Sequence, residues 1–369
     1  MRNLFITGGA GYLGRALLRT LAEREPDVRC TIFSRDHGKH SYCQREFPQH
    51  RYIIGDVRDY DSIELAMAGH DTVVHAAAFK YVPEAEINVA ECHEINVIGS
   101  LNVARAAARN GVDRVVGIST DKACQPINVY GTTKLMMERL FQEADAKSPT
   151  QFNLVRYGNV VSSTGSAIPL FRRQIIKDRH VLITNPQMTR FWLSVGTGVE
   201  LILMALQEKQ GGTILIPRLP SLNMMDVARA VASLELDGDA EDVEFEEVGV
   251  RFGEKMHEDL LGDIESVRAE QIPLCNPNMR EAVMRLYPMT SDPLERHNKR
   301  YNSERPDTAL SIDDAKAMIK QAVDDEAMVN HPEKRGVLGT IPGLNLLSLG
   351  KLDLRMWSRS YSPGVSSKR

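Results

Sequence analysis

Leu4-Phe5-Ile6-Thr7-Gly8-Gly9-Ala10-Gly11-Tyr12-Leu13-Gly14 sets a short apolar strand against glycines at 8, 11 and 14, with a helix opening at Arg15. Glycines so spaced suit a tight turn, a close backbone approach to a pyrophosphate, and close packing of helix on strand. The helix N-terminus adds N–H groups for phosphate oxygens. A glycine triplet alone often serves only to reverse the chain. This one stands at the head of an alternating series, and that place gives it weight.

Working outward, apolar runs at 4–7, 30–33, 51–54, 72–75, 114–118 and 153–156 read as strands. Amphipathic stretches at 15–25, 61–68, 95–110 and 132–146 read as helices between them. The alternation predicts βαβ units, hence an α/β fold with a Rossmann-type doubly wound parallel sheet over residues 1–160. The rhythm then breaks. Helices at 167–177, 198–208 and 225–234 mix with short strands at 181–184, 213–217 and 245–248, which predicts a smaller α/β substrate-binding lobe over 161–330, interleaved with the first. From 331 to 369 Pro, Gly and Ser become frequent and basic residues outnumber acidic ones, which reads as a basic, flexible or loosely docked tail.

Composition narrows the function classes. The 369 residues are 43% hydrophobic and 25% charged, as in an ordinary globular protein. Lys plus Arg number 45 against 49 Asp plus Glu, a net charge of −4, so a nucleic-acid partner held by phosphate neutralisation is not expected. Cys30, Cys43, Cys92, Cys124 and Cys275 are scattered without zinc-ligand spacing, which predicts reduced thiols in a cytoplasmic protein and no metal site. No stretch has the roughly 18 apolar residues of a membrane span, and Gly8 and Gly9 interrupt the N-terminal apolar run before a signal-peptide core develops.

At the nucleotide end, Thr7, Gly8, Gly11, Tyr12, Leu13 and Gly14 are the expected pyrophosphate cradle. Ser34 and Arg35 follow the second strand, where an acidic residue would bind the ribose 2′-hydroxyl of NAD. Their donors and charge suit a 2′-phosphate and favour NADP over NAD. Asp56 and Val57 suit an adenine contact, although Asp56 equally suits a helix N-cap. Ala76, Ala77 and Ala78 are small residues where the cofactor passes.

The strand at 114–118 runs into Ser119-Thr120-Asp121-Lys122-Ala123, and Asn128-Val129-Tyr130-Gly131-Thr132-Thr133-Lys134 follows. Tyr130 and Lys134 are four apart and share a helix face, where an ammonium can hold a phenol near its ionised form. A phenolate beside a nicotinamide can take a hydroxyl proton while hydride leaves the same carbon. Thr120 can bond the oxygen on that carbon or simply end the strand.

These segments resemble the extended short-chain dehydrogenase/reductase superfamily and, within it, the soluble inverting UDP-N-acetylglucosamine 4,6-dehydratases of the polysaccharide-biosynthesis group. The resemblance extends through Arg156-Tyr157-Gly158-Asn159-Val160, Gly165 to Pro169, Met188 to Phe191, Gly253-Glu254-Lys255-Met256-His257-Glu258 and Tyr301-Asn302-Ser303, from about residue 2 to about 320. Related retaining dehydratases carry Asp-Glu rather than Asp-Lys, and membrane-bound relatives usually have Met in place of the tyrosine. Phe252, where relatives often have proline, and Thr164 depart from the pattern.

The resemblance implies a lyase that uses NADP and a UDP-sugar substrate and forms a homo-oligomer. Once C4 is oxidised through Tyr130, the C5 proton becomes acidic and the C6 hydroxyl a β-leaving group, so one base and one acid are needed close together. Lys122 as free amine would take the C5 proton, and Asp121 as neutral acid would protonate the departing oxygen. Arg190 and Arg251 are the implied diphosphate ligands. Asn159, Lys80 and Glu254 are further implied substrate-side residues, Glu254 with His257 in a supporting role. Rival readings are a dehydratase that stops at a 5,6-unsaturated sugar, a C4 epimerase, and a non-catalytic NADP-binding regulator.

Overall fold

The computed structural model describes residues 1–163, 165–236, 241–273, 282–294, 299–304 and 309–330. Thr164, Cys275 and the 331–369 segment lie outside the described residues. Six parallel strands come first: β1 (Asn3–Thr7), β2 (Arg29–Ser34), β3 (Arg51–Ile54), β4 (Thr72–His75), β5 (Arg114–Ile118) and β6 (Gln151–Val155). The helices among them are α1 (Tyr12–Arg24), α2 (His37–Glu46), α3 (Tyr60–Met67), α4 (Val82–Ile87), α5 (Val89–His93), α6 (Gly99–Arg109) and α7 (Val129–Lys147). Leu4, Phe5, Ile6, Val73, Val74, Val115 and Val116 are buried, because helices cover both sheet faces and these strands need apolar side chains on each.

After residue 158 the chain forms β7 (Asn159–Val160), α8 (Ala167–Asp178), β8 (His180–Ile183), β9 (Thr189–Leu193), α9 (Val195–Gln207), β10 (Ile214–Pro217), β11 (Ser221–Asn223) and α10 (Met224–Glu235). It continues through β12 (Glu244–Glu247), β13 (Asp259–Leu261), α11 (Asp263–Ser266), β14 (Ala269–Ile272), β15 (Val283–Leu286), β16 (Tyr301–Asn302) and α12 (Ile312–Asn330). The main sheet runs β14-β15-β10-β6-β5-β4-β1-β2-β3. It is the expected doubly wound sheet, extended by three strands from beyond residue 160: β10, whose stretch was expected in the smaller lobe, runs parallel to β6, β15 lies antiparallel to β10, and β14 antiparallel to β15. A second apolar cluster gathers Ile168, Phe171, Trp192, Leu222, Val227, Val231 and Ile319, with α10 packed on both α8 and α12.

β1 pairs with β2 on one side and β4 on the other. Chain order therefore reverses between β1 and β4, and the loops leaving these two strands open a crevice where α/β proteins bind ligands. Two local differences from the expected elements bear on that crevice. α1 begins at Tyr12 rather than Arg15, with Gly11 as its N-cap. The helix expected at 95–110 opens instead with a π-turn over Glu94–Ile98 before α6.

Candidate active site

The turn after β1 is built for close approach. Gly8 has φ +70° and donates its N–H to Phe33 O at 2.8 Å. A Cβ there would lie 2.8 Å from Ala77 N, and one on Gly14 would lie 2.2 Å from Gly9 O. Side chains are thus excluded where a pyrophosphate must meet the backbone. Tyr12 and Leu13 open α1 immediately beyond the turn.

A buried polar chain braces this turn against the end of β4. Ser100 Oγ donates to Asn96 O at 2.6 Å, so His75 Nε2 carries a proton and donates to Ser100 Oγ at 3.0 Å. His75 Nδ1 then accepts from Thr7 Oγ1 at 2.7 Å, leaving the Thr7 oxygen to accept Ala77 N–H at 3.2 Å. Burial, then the Lys134 charge, lowers His75 to about 3, so it stays neutral. The π-turn brings the Asn96 side chain to Phe79 N (2.8 Å), Phe79 O (2.9 Å) and Thr133 Oγ1 (3.0 Å), which ties the Ala76–Ala78 loop to α7. Such turns recur at functional sites because the extra residue re-aims a side chain.

At the end of β2, Ser34 Oγ lies 2.6 Å from His40 Nε2. The Arg35 side chain is 53% exposed, with its guanidinium 3.6 Å from both Asp56 and Glu91. Asp56 accepts from Arg58 through N (3.0 Å) and Nη2 (2.5 Å), while Asp59 caps α3. Of the two readings offered for Asp56, the helix N-cap falls to Asp59, and Asp56 is an arginine-paired carboxylate beside Arg35. Val57 is buried. The residues present fit a dinucleotide, with a cradle at Gly8 and Gly14 and an exposed cation at the ribose end.

The catalytic candidates meet at the C-terminal end of β5. Asp121-Lys122-Ala123 form one 3₁₀ turn, with Thr120 as its N-cap. Thr120 Oγ1 donates to Asp121 Oδ1 at 2.9 Å, and Lys122 Nζ donates to the same oxygen at 3.1 Å. A second carboxylate reaches Lys122 from far along the chain, with Glu258 Oε1 at 3.3 Å. Asp121 is 0% and Glu258 2% exposed. Burial raises the Asp121 carboxyl above its ordinary range; Lys122 pulls it back and the Glu258 charge adds to the rise. Burial opposes charge on Glu258 as well, but Lys122, Arg190 and Lys255 outweigh it and hold this carboxyl below its ordinary value. Burial also works against the Lys122 ammonium, and the two carboxylates overcome it. At rest Lys122 is therefore an ammonium rather than the expected free amine, and Asp121 is the carboxyl best placed to hold a proton.

Burial pushes the Tyr130 phenol up to about 12, while Lys122 and a hydrogen bond with Thr120 pull it down. Lys122 is the leading charge that lowers Tyr130. Lys134, expected in that role from its spacing, is buried one turn on, and its Nζ meets Met137 Sδ at 3.1 Å. Burial, partly offset by Glu138, lowers Lys134 to about 8.

The substrate-side candidates divide. Arg190 is 8% exposed and donates to Thr189 O (2.8 Å) and Met256 O (3.2 Å). Its charge acts on Lys122 and Glu258. Arg251 and Lys80 are exposed, and Asn159 is half-buried on β7. Glu254 Oε2 is buried and makes no hydrogen bond among the described residues. Among the described residues no group of three His, Cys, Asp or Glu is arranged to hold a metal. No described helix is long and apolar enough to cross a membrane. Cys30, Cys43, Cys92 and Cys124 are unpaired and buried.

The family described as "Polysaccharide biosynthesis protein" matches residues 4–277. This chain belongs to that family. It is 40% identical over 271 residues to the inverting UDP-N-acetylglucosamine 4,6-dehydratase of Campylobacter jejuni, covering 72% of this chain and 79% of that one. It is 39% identical over 280 residues to the UDP-glucose 4-epimerase of Rickettsia felis, covering 73% and 81%. Among solved structures, Pen from Bacillus thuringiensis superposes with a TM-score of 0.78 at 32% identity, covering 87% of this chain and 97% of that one.

Some of the candidate site was not singled out from the sequence. Glu258 sits in the motif string quoted above, but nothing in its spacing puts it beside Lys122. Arg156 likewise lies in a quoted motif. It is fully buried and bonds Glu138 (2.7 Å) and Glu265 (2.7 and 2.9 Å), while Ser119 Oγ donates to Glu138 at 2.6 Å. A wholly buried arginine between two acids is invisible to hydrophobic patterning, which reads all three as surface charge.

Proposed function

We propose that the chain is an NADP-dependent 4,6-dehydratase of a UDP-N-acetylhexosamine, UDP-N-acetylglucosamine in first place, yielding a 4-keto-6-deoxy sugar nucleotide inverted at C5. The observation that carries this reading is the buried Asp121–Lys122 pair beside Thr120 and Tyr130, at the sheet end where the crevice opens. A simple oxidation or epimerisation needs Tyr130 but has no work for a second acid–base pair. The identity with the Campylobacter enzyme supports the same reading.

Gly8, Gly11 and Gly14 would hold the cofactor's pyrophosphate with Ser34 and Arg35 at its ribose end, and the bound group would supply hydride transfer between C4 and C6. Tyr130 accepts the C4 hydroxyl proton, and Thr120 steadies the oxygen. Lys122 removes the C5 proton, and Asp121 protonates the departing C6 oxygen. Reprotonation of C5 from the opposite face inverts that centre. The lobe built on α8 and α10 would hold the UDP-sugar with Arg190, Arg251, Asn159 and Glu254, the guanidinium groups toward the diphosphate, and Lys80 would reach it from the loop after β4. The reading includes a cytoplasmic protein, supported by the scattered, unpaired cysteines, and a homo-oligomer, supported by the family resemblance.

Proton NMR in deuterated water with UDP-N-acetylglucosamine and NADP tests the proposal. A C6 methyl signal with deuterium at an inverted C5 is expected. Retained C5 configuration would overturn the inverting assignment, and absence of a methyl would overturn dehydration of this substrate. The Rickettsia relatives favour a second reading, a C4 epimerase. It predicts instead a C4-inverted sugar with C6 still hydroxylated.

A further inference from the structure

Lys122 stands between two buried carboxylates, with Asp121 Oδ1 at 3.1 Å and Glu258 Oε1 at 3.3 Å. A dehydratase needs Lys122 without one of its protons, and needs Asp121 with one. We propose that Glu258 is a positioning residue of the elimination: its carboxylate holds the Lys122 ammonium and takes a proton from it, so that Lys122 acts on C5 as an amine while Asp121 keeps its own proton for the C6 oxygen. The proposal rests on the dehydratase reading and adds a residue to it.

Glu258 is built to stay in place. Its N–H donates to Ser303 Oγ at 2.9 Å, and its carbonyl accepts Ser303 N–H at 2.9 Å. Thr189 Oγ1 lies 2.7 Å from Ser303 Oγ and 2.9 Å from His257 Nδ1, which ties the segment to β9. The neighbouring Asp259 is held by Arg300 (2.6 and 2.9 Å) and Asn302 (2.8 Å). Glu258 Oε2 is buried and makes no hydrogen bond among the described residues, although Lys255 Nζ is 3.9 Å away. The charged and titratable groups facing this pair are Asp121, Tyr130, Arg190 and Lys255.

The proton count closes. The Nζ–H bond of Lys122 breaks as Glu258 O–H forms; the Lys122 charge that held Glu258 ionised is lost in the same step, burial then favours the neutral carboxyl, and the freed nitrogen pair takes the C5 proton. The C5–H electrons form the C5=C6 bond, the C6–O bond breaks toward oxygen, and the Asp121 proton lets that oxygen leave as water. The proton stored on Glu258 then returns through Lys122, which contacts both carboxylates, to Asp121. Without Glu258 the carboxylate paired with Lys122 among the described residues is Asp121, and acid and base would compete for one site.

The test uses the full chain with NADP and UDP-N-acetylglucosamine, comparing wild type, Glu258→Gln and Glu258→Asp. Methyl formation should fall about 10²- to 10⁴-fold in Glu258→Gln. C4 oxidation should survive, so NADPH absorbance should build and persist on mixing. Glu258→Asp, which keeps an acceptor, should recover part of the rate. Methyl formation by Glu258→Gln at the wild-type rate would overturn the proposal, as would loss of the NADPH signal together with the methyl, or an Asp variant no better than Gln. If Glu258→Gln does not fold, Glu258→Asp decides by its NADPH signal: persistence during slowed methyl formation supports the proposal, and parallel loss overturns it. A wild-type protein that forms no methyl would defeat dehydration of UDP-N-acetylglucosamine, the reading on which the proposal rests, a different result from any of these.

Discussion

Tyr130 begins at a disadvantage as a base, since burial pushes its phenol up to about 12, and Lys122 is the charge that offsets this. Tyr130→Phe should therefore slow C4 oxidation about 10²- to 10⁴-fold without changing the melting temperature, as single-turnover absorbance of NADPH would show. Lys122→Ala should abolish the C6 methyl signal. It should also move the pH limb of C4 oxidation upward, because the phenol loses the cation that favours its ionised form. At the other end of the crevice, Arg35→Asp should weaken NADP binding about 10- to 100-fold while affecting NAD little, read by fluorescence titration. A charge-assisted hydrogen bond to a phosphate is worth about 1.5–3 kcal/mol. Equal losses for both cofactors would place Arg35 away from the ribose.

Helix α7 brings Tyr130 to Asp121 by backbone contact as well as by side chains. Asn128 caps it through Gly131 N at 2.7 Å, and a Cβ on Gly131 would lie 2.1 Å from Lys122 O. Both partners are backbone, so neither can step aside. Gly131→Ala should cost about 1–3 kcal/mol, read as a lower melting temperature together with lost activity. The strands and the longer helices were legible in the sequence because apolar periodicity follows burial, and the boundaries at 51–54, 72–75 and 114–118 agree with β3, β4 and β5. The π-turn at Glu94–Ile98 was not, because its cause is tertiary: Asn96 must reach Phe79 and Thr133. β14 and β15 were also missed, being short, half-polar strands whose partners are set by the sheet edge. The Tyr130–Lys134 spacing was legible as helical, and both residues lie on α7; that Lys134 Nζ meets Met137 Sδ is a packing detail no spacing shows.

Across the whole molecule, Arg156 binds distant parts of the chain around the catalytic strand end. It joins Glu138 on α7 to Glu265 on α11 and donates to Leu260 O at 3.1 Å. Arg156→Met would leave two buried carboxylates unpaired and should cost about 3–5 kcal/mol in denaturant unfolding. Acid should weaken the fold through two groups. Glu265 is held at about 2 because Arg156 and hydrogen bonds outweigh burial, and His75 is held at about 3 by burial. Both lie below their unfolded values, so the unfolded chain binds the extra protons. The stability they contribute is complete above about pH 6.5 and is lost as pH falls, His75 acting between about 6.5 and 3 and Glu265 between about 4.5 and 2. Each group can add at most about 1.4 kcal/mol per pH unit. Melting temperatures from pH 7 to 4 should decline, and less steeply in His75→Asn; parallel slopes would count against a buried neutral histidine.

By itself the sequence determined the parallel α/β sheet, the glycine turn and the placing of Thr120, Asp121, Lys122 and Tyr130 near one strand end. All of these follow from short-range rules of periodicity, turn geometry and helix spacing. Only the tertiary structure decided that Lys122 rests as an ammonium, that Asp121 is the carboxyl driven toward its neutral form, and that Glu258 stands against both. Protonation in a buried cluster depends on which charges the fold brings within a few ångströms, and Glu258 comes there from more than a hundred residues away.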